Sequence, residues 1–178
     1  NVVSTEIETH NVYGSKELEA LESVLSKSVG ANAFLIGNDK EGILNILGRL
    51  NYMIEEGTAF PEIEHKRVVL FDAELLATSQ HNKSNFELKL LNLMNEAVKA
   101  GNVIVAFDNF PAFLASADAL GSDVVALLDR YFTTSELEIV AISDVDRFHQ
   151  VIERNVALMQ RFEKIYVEYF IFLVGNTE

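Results

Sequence analysis

Two stretches of this chain carry residue types at spacings that bear on phosphate and metal chemistry. The first is Gly37-Asn38-Asp39-Lys40-Glu41-Gly42-Ile43-Leu44. It follows the apolar run Ala33–Ile36 and opens a helical pattern. The two glycines have the separation of the phosphate-cradling loop G-x-x-x-x-G-K-[ST], in which the Lys reaches the β- and γ-phosphates and the hydroxyl binds Mg²⁺. Ile43 and Leu44 stand at those two positions, so neither the ammonium nor the hydroxyl is supplied. Asp39 and Glu41 bring negative charge to a helix N-terminus that favours an anion by only about 0.3–1 kcal/mol. Lys40 precedes Gly42, so as a substitute ammonium it would act from within the loop.

The second stretch is Val103–Asp108 followed by Asn109. An apolar strand ending in Asp has the outline of an Mg²⁺-holding position in phosphoryl-transfer proteins. Hydrolysis also needs a proton acceptor at the next position, and a carboxamide is a poor one. Asp108 alone would hold Mg²⁺ weakly without phosphates to share it. The bland reading is a strand-end Asp capping the following loop. Elsewhere the chemistry is thin. His10, His65, His81 and His149 show no short metal-ligand spacing, there is no cysteine, and no G-x-S-x-G elbow is present.

Regular elements must position these residues. Ser15–Ser28 has apolar residues at helical spacing (Leu18, Leu21, Val24, Leu25) and Gly30 after it. A helix from about Glu41 carries Ile43, Ile46, Leu47, Leu50 and Ile54 and closes at Gly57. Ser84-Asn85-Phe86-Glu87 reads as a capping box opening a helix that Gly101 ends. Further helices are expected over roughly Asp118–Tyr131 and over Asn155–Phe162, the latter capped by Asn155. Five strands are expected: Ala33–Ile36, Arg67–Phe71, Asn102–Asp108, Leu137–Ile142 and Lys164–Val167. Strands alternating with helices predict an α/β fold, a parallel five-stranded sheet with helices on both faces. Pro61 and Pro111 are expected in loops.

The chain of 178 residues is about one domain long and carries 14 basic against 27 acidic residues, a formal charge of −13. That balance argues against a phosphate-backbone partner such as nucleic acid. No apolar run approaches the 18 or so residues of a membrane-spanning helix, so no membrane insertion is expected. The cysteine-free composition fits a cytoplasmic location.

With these residues in place, the chain resembles an AAA+ ATPase module, and more narrowly the first AAA+ module of the Clp/ClpB unfoldase and disaggregase family. Val12-Tyr13-Gly14-Ser15-Lys16-Glu17-Leu18-Glu19 resembles the family's V-I-G-R-x-x-E-I opening. Phe34-Leu35-Ile36-Gly37 resembles V-L-I-G before the Walker A motif, and Phe86–Leu90 resembles the G-E-F-E-E-R-L helix. Asp146-Arg147-Phe148, Ile152-Glu153 and Ala157–Phe162 resemble D-E-Y…I-E-K-D-A-A-L-E-R-R-F. The match runs from about residue 11 to 167.

The resemblance implies a P-loop NTPase fold of the AAA+ large-subdomain type. It implies nucleotide-binding positions at Gly37, Gly42 and Asp108, and an arginine-finger position at Arg161 with Gln160 beside it. The γ-phosphate-sensing pair falls on Ser143-Asp144, and the pore-loop aromatic falls on Asn82. Lys and Thr of Walker A are replaced by Ile43 and Leu44, and the Walker B Glu by Asn109. The helical lid that follows such a subdomain is not evident. The expectation is one AAA+-like domain over residues 1–178, a piece of a longer Clp-type protein. It would act as a pseudo-ATPase scaffold or oligomerisation module beside other AAA+ modules, in a ring, with no cofactor of its own. The alternatives are a weak ATP- and Mg²⁺-binding module, and a free-standing protein-interaction domain of AAA+ ancestry. The apolar tail Tyr169–Val174 is expected to be covered by this domain or a neighbour, since such a segment exposed invites edge pairing.

Overall fold

A computed structural model describes residues 14–168. The opening motif residues Val12 and Tyr13, His10 and the apolar tail Tyr169–Val174 lie outside the described residues.

The chain alternates helix and strand. Helix α1 (Ser15–Leu25) leads to β1 (Asn32–Ile36) and α2 (Lys40–Glu55). A 3₁₀ turn at Pro61–Ile63 precedes β2 (Arg67–Phe71), α3 (Ala73–Ser79) and α4 (Lys83–Ala100). Then come β3 (Val103–Phe107), α5 (Phe110–Ala119), α6 (Val124–Phe132) and β4 (Glu138–Ser143). The short α7 (Val145–Arg147) runs into a π-helical turn over Phe148–Ile152, followed by α8 (Val156–Arg161) and β5 (Glu163–Tyr166).

The strands form one parallel sheet in the order β2-β3-β4-β1-β5. Side chains alternate across a strand, and β1 shows what that does here. Ala33 and Leu35 point into an aliphatic layer with Leu21, Leu25, Ile46 and Leu50 from α1 and α2. Phe34 and Ile36 point into the opposite layer, which α3 to α8 cover. There Phe34 meets Phe110, Phe148 and Phe162 at ring-centroid distances of 5.6, 5.4 and 4.5 Å. Burying each such ring stabilises by about 1.5–3 kcal/mol. Every residue of β1 and β4 is buried, as a strand covered on both faces requires.

The fold class and all five expected strands are present, to within a residue or so at each end. Four expectations change. Asn82, not Ser84, caps α4: its side chain accepts from the Asn85 amide at 2.9 Å, and Ser84 lies inside the helix. Asn is as good a cap as Ser, and starting two residues earlier adds to the helix. The helix placed at 118–131 is two helices, α5 and α6, broken at Gly121 with φ +82° and restarted by the Asp123 cap. Pro111 lies in the first turn of α5 rather than in a loop, where its missing N–H has no helical partner to lose. The sequence pattern also missed α3, seven residues opened by the Asp72 cap, which is too short to show a full apolar period.

Candidate functional site

In open parallel sheets the ligand crevice lies at the carboxyl ends of the strands. Here three turns meet: β1 to α2, β3 to α5 and β4 to α7. The first is shorter than a phosphate-cradling loop. Only Gly37, Asn38 and Asp39 separate β1 from α2, which begins at Lys40. Lys40 therefore sits on the first turn of the helix, and Gly42 lies inside the helix rather than at its mouth. That corrects the expectation of Lys40 within a loop.

The side chains follow from this start. Ile43 is 1% exposed and packs in the aliphatic layer, and Leu44 packs against the same layer, half-buried. Gly37 answers a packing need. A Cβ there would lie 2.7 Å from the Val167 carbonyl oxygen, because the chain beyond β5 crosses directly over it. Val167 donates its N–H to the Ile36 carbonyl at 2.8 Å, and Gly37 donates to Ser143 at 3.0 Å. At Gly42 a Cβ would lie 2.8 Å from Asp39 Oδ2, so the chain's own carboxylate rests against the first turn of α2.

Asp108 follows β3 and is held by its N–H donating to the Phe71 carbonyl. Lys40 Nζ donates to Asp108 Oδ2 at 2.8 Å, reaching over the end of β4. The other oxygen, Oδ1, is buried without a partner. A buried unpaired acceptor costs about 1–3 kcal/mol, so Asp108 is retained at some cost to stability. Asn109 takes a left-handed conformation, φ 47° and ψ 61°, and its side chain accepts from the Ala112 amide to cap α5. Asn tolerates that conformation better than most side chains. The cap role of the bland reading thus falls to Asn109 rather than to Asp108.

The third turn is tied to the first. Asn38 Oδ1 accepts from the Val145 amide at 3.1 Å. Ser143 is buried and donates to the Asp144 carbonyl. Asp144 caps α7 by accepting from Arg147 N–H at 2.8 Å, and accepts again from Arg147 Nε at 2.7 Å. Partial burial raises the Asp144 pKa, but the Arg147 hydrogen bonds and charge outweigh it, and the carboxyl sits below the usual carboxylate range. The residues that the resemblance assigns to sensing are thus engaged with their own chain.

Arg161 stands apart from this cluster. Its backbone oxygen accepts from Asn32 Nδ2 at the start of β1, whereas Gly37 follows the end of that strand. Five residues at about 3.3 Å each separate the two by roughly 16 Å along the sheet. The guanidinium pairs with Asp129 on α6, Nε to Oδ1 at 3.0 Å, on the wall of an open groove of about 500 Å³ that Gly30, Phe132 and Thr133 also line. Asn82 turns its oxygen to the Asn85 amide. His149 Nδ1 lies 2.6 Å from Glu153 Oε2, a local pair one helical turn apart. Among the described residues no three carboxylates or imidazoles cluster for a metal.

The pairs Lys40–Asp108, Asn38–Val145 and Arg161–Asp129 span 68, 107 and 32 residues. No local pattern marks them. For Lys40–Asp108 alone there was a signal, opposite charge just beyond the carboxyl ends of strands destined for the same sheet.

These features define an α/β protein with the five-stranded parallel sheet of the P-loop, AAA+ large-subdomain type. No family model matches the chain. Individual proteins do. Over 155 residues, 86% of the chain, it is 28% identical to the chaperone protein ClpB of Oceanobacillus iheyensis and 28% identical to the negative regulator of genetic competence ClpC/MecB of Bacillus subtilis. It is 27% identical over the same length to the ClpA homolog of Cyanidium caldarium, an ATP-binding subunit of the ATP-dependent Clp protease. The chain is thus similar, over most of its own length, to Clp-family AAA+ proteins. It spans 18–19% of the length of these relatives. Among the described residues no helix is long and apolar enough to cross a membrane.

Proposed function

We propose that this chain is a non-catalytic Clp-type AAA+ module, a scaffold or oligomerisation unit in a chaperone or unfoldase assembly. The observation that supports it most is the start of α2. The helix begins so early that Ile43 turns into the core and Leu44 packs against it, and the ammonium of Lys40 is engaged by Asp108. Magnesium nucleotide does not fit this donor set. The γ-phosphate would find no ammonium or hydroxyl from positions 43 and 44, a carboxylate from Asp39 at the helix mouth, and a salt bridge where the metal would sit. Asn109 adds no proton acceptor beside Asp108.

In this reading the work of the chain is done by its surface, against other AAA+ modules in a ring, while intact modules hydrolyse ATP. A cytoplasmic location goes with it. Arg161 serves as an intramolecular clamp on α6 and not as a finger on a neighbour's nucleotide.

The test is calorimetric titration of ATP and ADP into the chain, with and without Mg²⁺. The expected result is no binding heat and no melting shift at millimolar nucleotide. A ligand at 100 times its Kd would stabilise by about 2.7 kcal/mol, readily seen. A Mg²⁺-dependent shift that Lys40→Ala abolishes would instead establish the weak ATP-binding alternative, with Lys40 released from Asp108.

A further inference from the structure

Among the described residues, strand β2 is the last strand on its side of the sheet. An edge strand offers unpaired N–H and C=O groups, a template for pairing with another chain. In β2 the Arg67 N–H donates inward to the Asn102 carbonyl, and the Phe71 carbonyl accepts inward from Asp108. The odd residues therefore serve β3, and Val68 and Leu70 turn their backbone groups outward. Val69 and Leu70 are 38% and 45% exposed, so the edge is also apolar. It has the composition of a sticky edge, with no charged side chain at 68–71.

Yet Val68 is not open. The Asn51 side chain, carried by α2, accepts from the Val68 N–H at 2.7 Å and donates to the Val68 carbonyl at 3.3 Å. A single carboxamide thus satisfies both outward groups of one residue. Those are the two bonds that a residue of an added antiparallel strand would make with a directly opposed partner.

We infer that Asn51 seals the β2 edge, acting as a one-residue surrogate for a sixth strand that keeps copies of this chain from pairing through β2. Among the described residues Leu70 alone remains available on β2 beyond it, and one residue is too short a register for stable strand addition. Assembly partners then engage the chain by other faces. The seal is independent of the nucleotide site and stands whether or not that site binds.

Two measurements test it. By amide hydrogen exchange the Val68 amide is protected in the parent and the Leu70 amide is not; fast exchange at Val68 in the folded parent would overturn the inference. Asn51→Ala is then compared with the parent by light scattering across concentrations, with circular dichroism confirming the fold. The variant is expected to form larger species at concentrations where the parent does not. Adding Leu70→Pro is expected to reverse this, because that N–H faces away from β3 and proline there costs no ladder bond. A folded Asn51→Ala variant with the parent's size at every concentration, or association that Leu70→Pro leaves intact, would overturn it.

Discussion

The phenylalanine layer and the carboxyl rim of the sheet are next to each other and are built by opposite rules. In the layer, side chains distant in sequence converge on Phe34 and exclude water. At the rim, side chains and turns around the positions that the Clp resemblance ties to nucleotide chemistry are engaged by neighbours in the same chain, although Asp108 Oδ1 is left without a partner. Gly37 fits under Val167, Lys40 pairs with Asp108, Asn38 bonds Val145, and Asn109 caps α5. The difference teaches that the core side chains hold the sheet by packing, whereas the rim side chains hold its turns by hydrogen bonds and an ion pair within the chain.

The largest effect is expected in the layer. Phe34→Ala should cost about 3–5 kcal/mol, since it removes the ring on which three others pack. At about 2–4 °C per kcal/mol for a domain of this size, thermal melting should fall by roughly 6–20 °C.

Gly37→Ala comes next. If Gly37 serves strand packing, the added methyl must displace Val167, and overpacking of this kind costs about 1–3 kcal/mol. Urea denaturation should show that loss with no nucleotide present. An unchanged midpoint would remove the packing account of this glycine.

Asn109 divides by substitution. Asn109→Ala loses the cap and strains a left-handed residue, about 1–2 kcal/mol in total, while Asn109→Gly accepts the backbone and should cost only a few tenths. Equal losses in the two variants would contradict the cap assignment.

The smallest effects are in pH dependence, and they oppose one another. Glu22, 3% exposed, is raised above its ordinary pKa by burial, although the Phe60 N–H it accepts works against this. A raised carboxyl binds its proton more tightly when folded, so its contribution to stability falls as pH rises through the folded value. The melting gap between Glu22→Gln and the parent should therefore become more positive from about pH 4 to pH 7. Asp144 at the rim is lowered, so its contribution is present above the unfolded carboxylate range and fades as pH falls. For Asp144→Asn the deficit should close on acidification, and being half-exposed it should stay under about 1 kcal/mol.

How far the sequence revealed this contrast follows from its physics. The stripe of α2 was legible because burial on one face imposes a helical period, and the central strands because burial on both faces imposes short continuous apolar runs. The short α3 and the split of α5 from α6 were not, since caps at Asp72 and Asp123 define them and many Asp residues cap nothing. At the site, Ile43, Leu44 and Asn109 were legible as residue types. The pairing of Lys40 with Asp108 was not, because the two meet only after the elements between them have packed.

The central claim is that position 43 belongs to the core and not to a ligand. The most direct measurement is thermal melting of the double variant Ile43→Lys, Leu44→Thr, with and without millimolar Mg²⁺-ATP. The account predicts strong destabilisation from an ammonium forced into the aliphatic layer, and no recovery on adding nucleotide. A variant as stable as the parent, whose melting rises with Mg²⁺-ATP, would show a working phosphate cradle and contradict it.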